Sequence, residues 1–282
     1  MYVRPGGQPA GSASAGQSNP APGVAAPLPL KYFADIYTLA ELEVRRLRHD
    51  PTELLMRGVQ PALWLLVFGQ AMGRVRGMPT GPFSYLQFMT PGILAQSVVF
   101  IAIFSGISII WERDMGLLQK MLAAPVARSA LVLGKMVGAG TRAMSQAAVV
   151  LLLSLLIRTP LRWGVLQLLG VMATVMLGAA FFAGLSMAIA ALVKTRERFM
   201  GIGQVITMPL FFASNALYPL EIMPTWLKYI SLGNPLSYMV NVLRALLLTG
   251  APAALPMDFG VLLVATVAMV ALTTWLYPQV AT

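Results

Sequence analysis

Apolar and polar positions alternate along this chain in long blocks rather than within them. Six stretches are almost free of charge, and the charged residues gather in the short segments between. The first apolar stretch runs from about Leu54 to Gly73, behind a helix-start pattern at Asp50-Pro51-Thr52-Glu53: an N-cap acid, a first-turn proline and a glutamate at the third position. Pro61 is expected to kink it. Gly77 to Trp111 holds no charge at all, and Pro91-Gly92 predicts a broken start followed by a second span ending at Trp111. A third span is expected over about Leu131 to Ile157, a fourth within Trp163 to Val193, a fifth from about Phe199 to Tyr218 and a sixth from about Gly260 to Tyr277. Each reaches the roughly 20 residues that a helix needs to cross a bilayer. The expected fold class is therefore an all-α membrane protein with six transmembrane helices over residues 50–282.

Two other patterns flank these spans. Residues 1–29 are mostly Gly, Ser, Ala, Pro and Gln, too polar and too proline-rich to bury a core or to serve as a signal peptide, and are expected to be a disordered tail. Over 30–49, Phe33, Ile36, Tyr37, Ala40, Val44 and Leu47 recur at helical spacing while Lys31, Asp35, Arg45 and Arg48 lie around the rest of the helix. Such an amphipathic helix lies on a membrane surface, or covers another part of the protein. Between the fifth and sixth spans, Pro219, Pro224 and Asn234-Pro235 break the chain into two short helices, the second reaching about Leu248. Trp226, Tyr229 and Tyr238 mark them as interfacial, external and re-entrant in character.

Composition narrows the class. The chain is 57% hydrophobic and 11% charged, outside the range of soluble domains. It has no cysteine and one histidine, His49, which excludes thiolate and multi-histidine metal sites. The net charge of +10 sits in loops beside apolar spans, where anionic membrane lipid is a simpler partner than nucleic acid, and no nucleic-acid binding is expected. With the N-terminus inside, 13 basic residues fall on cytoplasmic loops against 6 outside, which puts both termini in the cytoplasm.

Catalytic patterns are missing. Neither HExxH nor GxSxG occurs, and Gly134-Lys135 lacks the flanking residues of a phosphate-binding loop. A membrane enzyme acting on lipid would need an acid-base or metal constellation, and an ion-coupled carrier an intramembrane acid; the spans offer neither. One charge does fall inside a span. Arg142, two turns after Lys135, forms with Ser145 and Gln146 a polar stripe along the third span, either a buried contact that orders the bundle or part of a transport path. Small residues on the fourth span, including Gly178, Ala180, Gly184 and Ala188, point to close helix packing. Trp64, Phe68, Phe100, Phe104, Phe211 and Phe212 either line a path for apolar cargo or face lipid and core.

The segment after the second span is unusual for a topological connector. Glu112-Arg113-Asp114 alternates in charge, Gly116 follows, and Leu117 to Lys120 can continue as a rigid helix toward Pro125-Val126. A short charged helix joined directly to two spans transmits force and offers ion pairs to a soluble partner. This segment, together with Gly134-Lys135 and the external run Tyr218-Pro219, Glu221, Met223-Pro224-Thr225-Trp226-Leu227, Asn234-Pro235, Tyr238 and Arg244, resembles the permease subunits of type 2 ABC exporters, in particular the drug and lipid efflux branch that includes daunorubicin-resistance-like permeases. The resemblance covers about residues 30–280 and departs from a common form of the first motif at Leu117-Leu118. It implies a transport subunit of a bacterial or archaeal cytoplasmic membrane that is not itself an enzyme and carries no cofactor. It further implies a second permease copy or homologue, and a separate ABC ATPase subunit holding ATP and magnesium. Glu112, Arg113, Asp114, Gly116, Leu117 and Lys120 would be the ATPase-coupling residues. Cargo would be drug-like or lipid-like, or a lipid-linked polysaccharide as in other members.

Overall fold

The computed structural model of the chain describes residues 58–74, 79–123, 127–193, 195–250 and 255–277. The tail over 1–29, the surface helix over 30–49 and the helix start at Asp50 lie outside the described residues. Every regular element among the described residues is a helix. In chain order these are α1 (58–73), α2 (Tyr85–Phe104), α3 (Gly106–Asp114), α4 (Leu117–Ala123), α5 (Arg128–Leu156), α6 (Val165–Leu192), α7 (Arg196–Phe212), α8 (Thr225–Leu232), α9 (Pro235–Arg244, with a wider turn over Ala245–Thr249) and α10 (Leu255–Leu276). Four stretches among them are long and apolar enough to cross a membrane: α2 with α3 as one run (Tyr85–Asp114), α5, α6 and α10. They match the second, third, fourth and sixth predicted spans.

The second span departs from its expected shape. No break occurs at Pro91-Gly92; α2 runs unbroken from a capping box, in which the Gln87 amide donates to Ser84 Oγ and the Ser84 amide donates to Gln87 Oε1. The missing proline N–H is tolerated because the helix is enclosed by its neighbours. Gly92 serves another purpose: a Cβ there would lie 2.2 Å from the carbonyl oxygen of Ala216, so two backbones meet at van der Waals distance. The discontinuity falls instead at Ser105-Gly106, between α2 and α3. Gly106 allows close approach, since a Cβ there would lie 2.1 Å from Ser186 Oγ, and the Ser186 hydroxyl donates to the Ile103 carbonyl. A serine-glycine pair with a side chain inserted against the helix ladder is a sufficient cause for the interruption.

The described part of the first predicted span contains a widened turn over Trp64–Phe68, one turn beyond Pro61. The fifth, α7, ends at Phe212, six residues short of Tyr218 (218 − 212 = 6). Its last turn is closed by the Ser214 hydroxyl, which donates to the Phe211 carbonyl, and by the Ala213 amide, which donates to Pro209. Serine binding a nearby carbonyl competes with helix continuation.

α6 is the centre of the bundle, packed against α2, α5 and α10. Its small residues admit methionines from three neighbours. A Cβ at Gly178 would clash with Met239 of α9, and one at Gly184 with Met136 of α5 and Met269 of α10. Flexible thioether side chains fill such grooves without leaving voids. Hydroxyls add polar contacts across the same interface, Thr273 donating to the Gly184 carbonyl at 3.1 Å and Thr266 to that of Leu177 at 3.3 Å. The two short helices expected before the last span are present as α8 and α9. Asn234 caps α9, its Oδ1 accepting from the Leu236 amide, with Pro235 in the first turn. α10 starts at Leu255, five residues before the expected Gly260, which brings Asp258 into its first turn, where a negative charge suits the helix dipole.

Candidate functional site

At one end of the bundle, α3 runs out of the apolar layer and turns sharply into α4. Gly116 makes the turn at φ +66, a left-handed conformation that glycine adopts without a steric cost, while its amide donates to the Arg113 carbonyl and that of Met115 to Trp111. α4 is then anchored by Leu118, fully enclosed by the core, while Leu117, Gln119 and Lys120 are exposed. Met115 and Trp111 are also exposed, so the elbow presents an apolar face edged with charge.

The three alternating charges have different fates. Glu112 is buried, and the Lys135 ammonium of α5 donates to it at 2.5 Å. Asp114 is 42% exposed and accepts from Arg196, the first residue of α7, at 2.8 Å. The Arg196 guanidinium also stacks on the Trp111 ring, 3.8 Å from its centroid. Arg113 reaches back to the Val193 carbonyl at the end of α6, at 3.4 Å. The elbow is thus clamped to the third, fourth and fifth predicted spans. Two of the residues expected to meet a soluble partner, Glu112 and Arg113, are engaged inside the chain; Asp114, Leu117 and Lys120 face outward.

Beside this clamp lies a cavity of about 660 Å³ between α1, the α2–α3 run and α5. Gln60, Pro61, Phe100, Phe104, Trp111, Glu112, Met115, Arg142 and Gln146 are among its walls. Its volume is that of a pocket for a drug-sized molecule. Phe100 and Phe104 stack on each other along one side, ring centroids 6.1 Å apart. The other four aromatic path candidates lie elsewhere. Trp64 packs edge-on to Phe68 and Phe211 at 5.1 and 5.7 Å; Phe211 is 1% exposed and belongs to the core, and Phe212 points outward at 44%. The predicted polar stripe divides too. Arg142 and Gln146 line the cavity, Lys135 pairs with Glu112, and the Ser145 hydroxyl donates to the Arg142 carbonyl of its own helix.

Lys135 and Arg196 are the functional side chains that sequence reasoning passed over as partners of the elbow. Arg196 lies 82 positions from Asp114, and only the packing of α3 beside α7 joins them. The available signal was the run of basic residues that follows Asp114 at Lys120, Arg128 and Lys135 and again at Lys194, Arg196 and Arg198.

The pattern of the ABC-2 type transporter family matches residues 34–248 of this chain. The chain belongs to that family. Among its relatives, the transport permease ycf38 of Cyanophora paradoxa is 28% identical over 222 residues, spanning 76% of this chain and 74% of the relative. The daunorubicin resistance ABC transporter permease protein DrrB1 of Streptomyces coeruleorubidus is 26% identical over 200 residues, covering 71% and 70%. The inner membrane transport permease YadH of Escherichia coli K12 is 27% identical over 207 residues, covering 73% and 79%. This ABC-2 permease is a multi-pass membrane protein, and the elbow and the α8–α9 hairpin both fall within the matched segment.

Proposed function

We propose that this ABC-2 chain is the permease subunit of an ATP-driven exporter. It crosses the cytoplasmic membrane six times with both termini inside, α1 and α7 being the first and fifth crossings. Two copies, or this chain and a homologue, face each other. A separate ABC ATPase, which holds ATP and magnesium, docks on the elbow, and an apolar or amphipathic cargo enters the cavity walled by Phe100 and Phe104.

The clamp around the elbow carries this reading. A helix that emerges from a span, presents exposed Met115, Leu117 and Lys120, and is pinned by ion pairs to α5 and α7 is a device for passing an outside force to several spans at once. An ordinary connector has no reason for a buried carboxylate. The turn at Gly116 is closed by the Gly116 and Met115 amides, and Leu118 anchors α4 in the core, so a push on α4 passes to α3. The basic residues at this end, Arg113, Lys120, Arg128, Lys135, Arg196 and Arg198, support a cytoplasmic placement.

The test is to purify the tagged full chain from its native membrane and identify copurifying ATPases by mass spectrometry. An ABC ATPase is expected, and Leu117→Asp with Lys120→Glu is expected to release it while the permease stays folded. ATP hydrolysis by the pure chain alone, or unchanged retention of the ATPase by the double variant, would overturn the reading.

A further inference from the structure

A second cavity, of about 430 Å³, opens at the opposite end of the bundle between the segment 79–83, the first turn of α2, and α9. It contains a cation held in place and left partly unmatched. Arg244 closes α9, its guanidinium stacked on the Phe88 ring at 3.9 Å, and Nη2 donates to the carbonyls of Asn215 at 2.8 Å and Phe88 at 3.4 Å. Those bonds use one of its three nitrogens. Nε is buried without an acceptor, and Nη1 has none among the described residues. Glu221 stands on the same cavity wall, exposed, and forms no ion pair with it. Asn215 donates to Asn241 Oδ1 and leaves its own Oδ1, also buried, without a donor.

A part-buried guanidinium on a cavity wall, with no carboxylate in contact, favours an anion. We infer that this cavity binds the phosphate group of a phospholipid headgroup, with the Arg244 guanidinium as its cation. The walls choose lipid over free phosphate. Pro79, Pro82, Phe83, Phe88 and Leu220 are apolar, and the neighbouring α8 exposes Trp226 and Tyr229, the aromatic pattern of a membrane interface. The volume suits a headgroup and its glycerol. Glu221 at the wall partly offsets the Arg244 charge and repels the anion, and so weakens binding. The inference does not depend on the export reading, since the site lies apart from the elbow and the larger cavity.

The experiment titrates the full chain, in a neutral maltoside detergent, with dihexanoyl phosphatidic acid, with inorganic phosphate and with uncharged dihexanoyl glycerol, by calorimetry. Saturable binding of the phosphatidic acid is expected, tenfold or more tighter than phosphate, with none for the glycerol. Arg244→Lys, which keeps the charge but loses the planar fork, is expected to weaken it about tenfold, the size of one charge-assisted hydrogen bond. Glu221→Gln, at an exposed position that no span depends on, is expected to tighten it about two- to fivefold. The Glu221 variant keeps the test decisive if the Arg244 variant fails to fold. Phosphate binding as tightly as the lipid would keep the oxyanion site and overturn the lipid assignment. No saturable anion binding, or affinities unmoved in both variants, would overturn the site itself.

Discussion

Glu112 and Asp114 lie two residues apart on α3 in different dielectric surroundings. The carboxylate of Glu112 and the ammonium of Lys135 are 6% and 11% exposed, so removing one charge strands the other in the bundle. Glu112→Gln is expected to destabilise the chain by about 3 kcal/mol, the order found for breaking a buried pair. Asp114→Asn breaks a half-exposed pair and should cost less than about 1 kcal/mol. Thermal unfolding in detergent separates the two, and equal shifts would mean that Glu112 is not enclosed. Gly116 makes a second contrast. A Cβ there meets nothing within 4 Å, so Gly116→Ala pays only for its left-handed backbone, about 1 to 2 kcal/mol. Gly201→Ala, equally uncrowded but inside α7, should be neutral or stabilising by up to about 1 kcal/mol. A ranking of the two alanine variants by melting temperature checks this. The charges of the elbow were visible in the sequence, but not their directions. Glu112 reads as a surface residue until α5 is laid beside it.

Among the helices, what could be read from the chain was what depends on neighbours in sequence. The cap at Asn234, the breaks at Pro219 and Pro224, and the length of the spans are local matters. The Pro91-Gly92 pair was misleading because its meaning is tertiary: the proline is carried by a helix enclosed on most sides, and the glycine serves a contact with Ala216, 124 residues away (216 − 92 = 124). Gly92→Ala should therefore destabilise by about 1 to 3 kcal/mol, or more if the backbones cannot part. Loss of monodispersity on size exclusion, with a lowered melting temperature, is the expected readout. A variant as stable as the parent would show that α2 and the Ala216 turn do not meet. The aromatic candidates divide for a similar reason. Six aromatics at span positions are alike in one dimension, and only packing separates Phe100 and Phe104, which wall a cavity, from Phe211, which fills the core.

For the molecule as a whole, the proposed pairing of two copies through α1 and α7 can be tested on the faces those helices leave uncovered. α1 exposes Leu63, Leu66 and Val67, and α7 exposes Val205 and Phe212, whereas Leu65 and Phe211 are enclosed. Cysteines at 63, 66, 67, 205 and 212 are expected to give disulfide-linked dimers in native membranes, and those at 65 and 211 none. Crosslinks at every position, or at none, would count against paired α1 and α7 faces. The same membranes test orientation. A cysteine at position 160 or 226 should react with an impermeant thiol reagent added outside, and one at Lys120 only after the membrane is opened.

The clamp that joins α3 to its neighbours includes two ion pairs that answer differently to the surrounding electrolyte. The Glu112–Lys135 pair is largely enclosed and weakly screened; the Asp114–Arg196 pair is open to solvent, and at about 1 M salt the screening length shrinks to about 3 Å. Concentrated electrolyte therefore acts as a selective solvent for one of the two joints, freeing α7 while α5 stays attached. A transporter in that condition would slip like a worn clutch: nucleotide would still be consumed, and less cargo would move for each molecule spent. The ratio of cargo moved to ATP hydrolysed in reconstituted vesicles should fall as salt rises, and Asp114→Asn should lower it at low salt and make it indifferent to further addition.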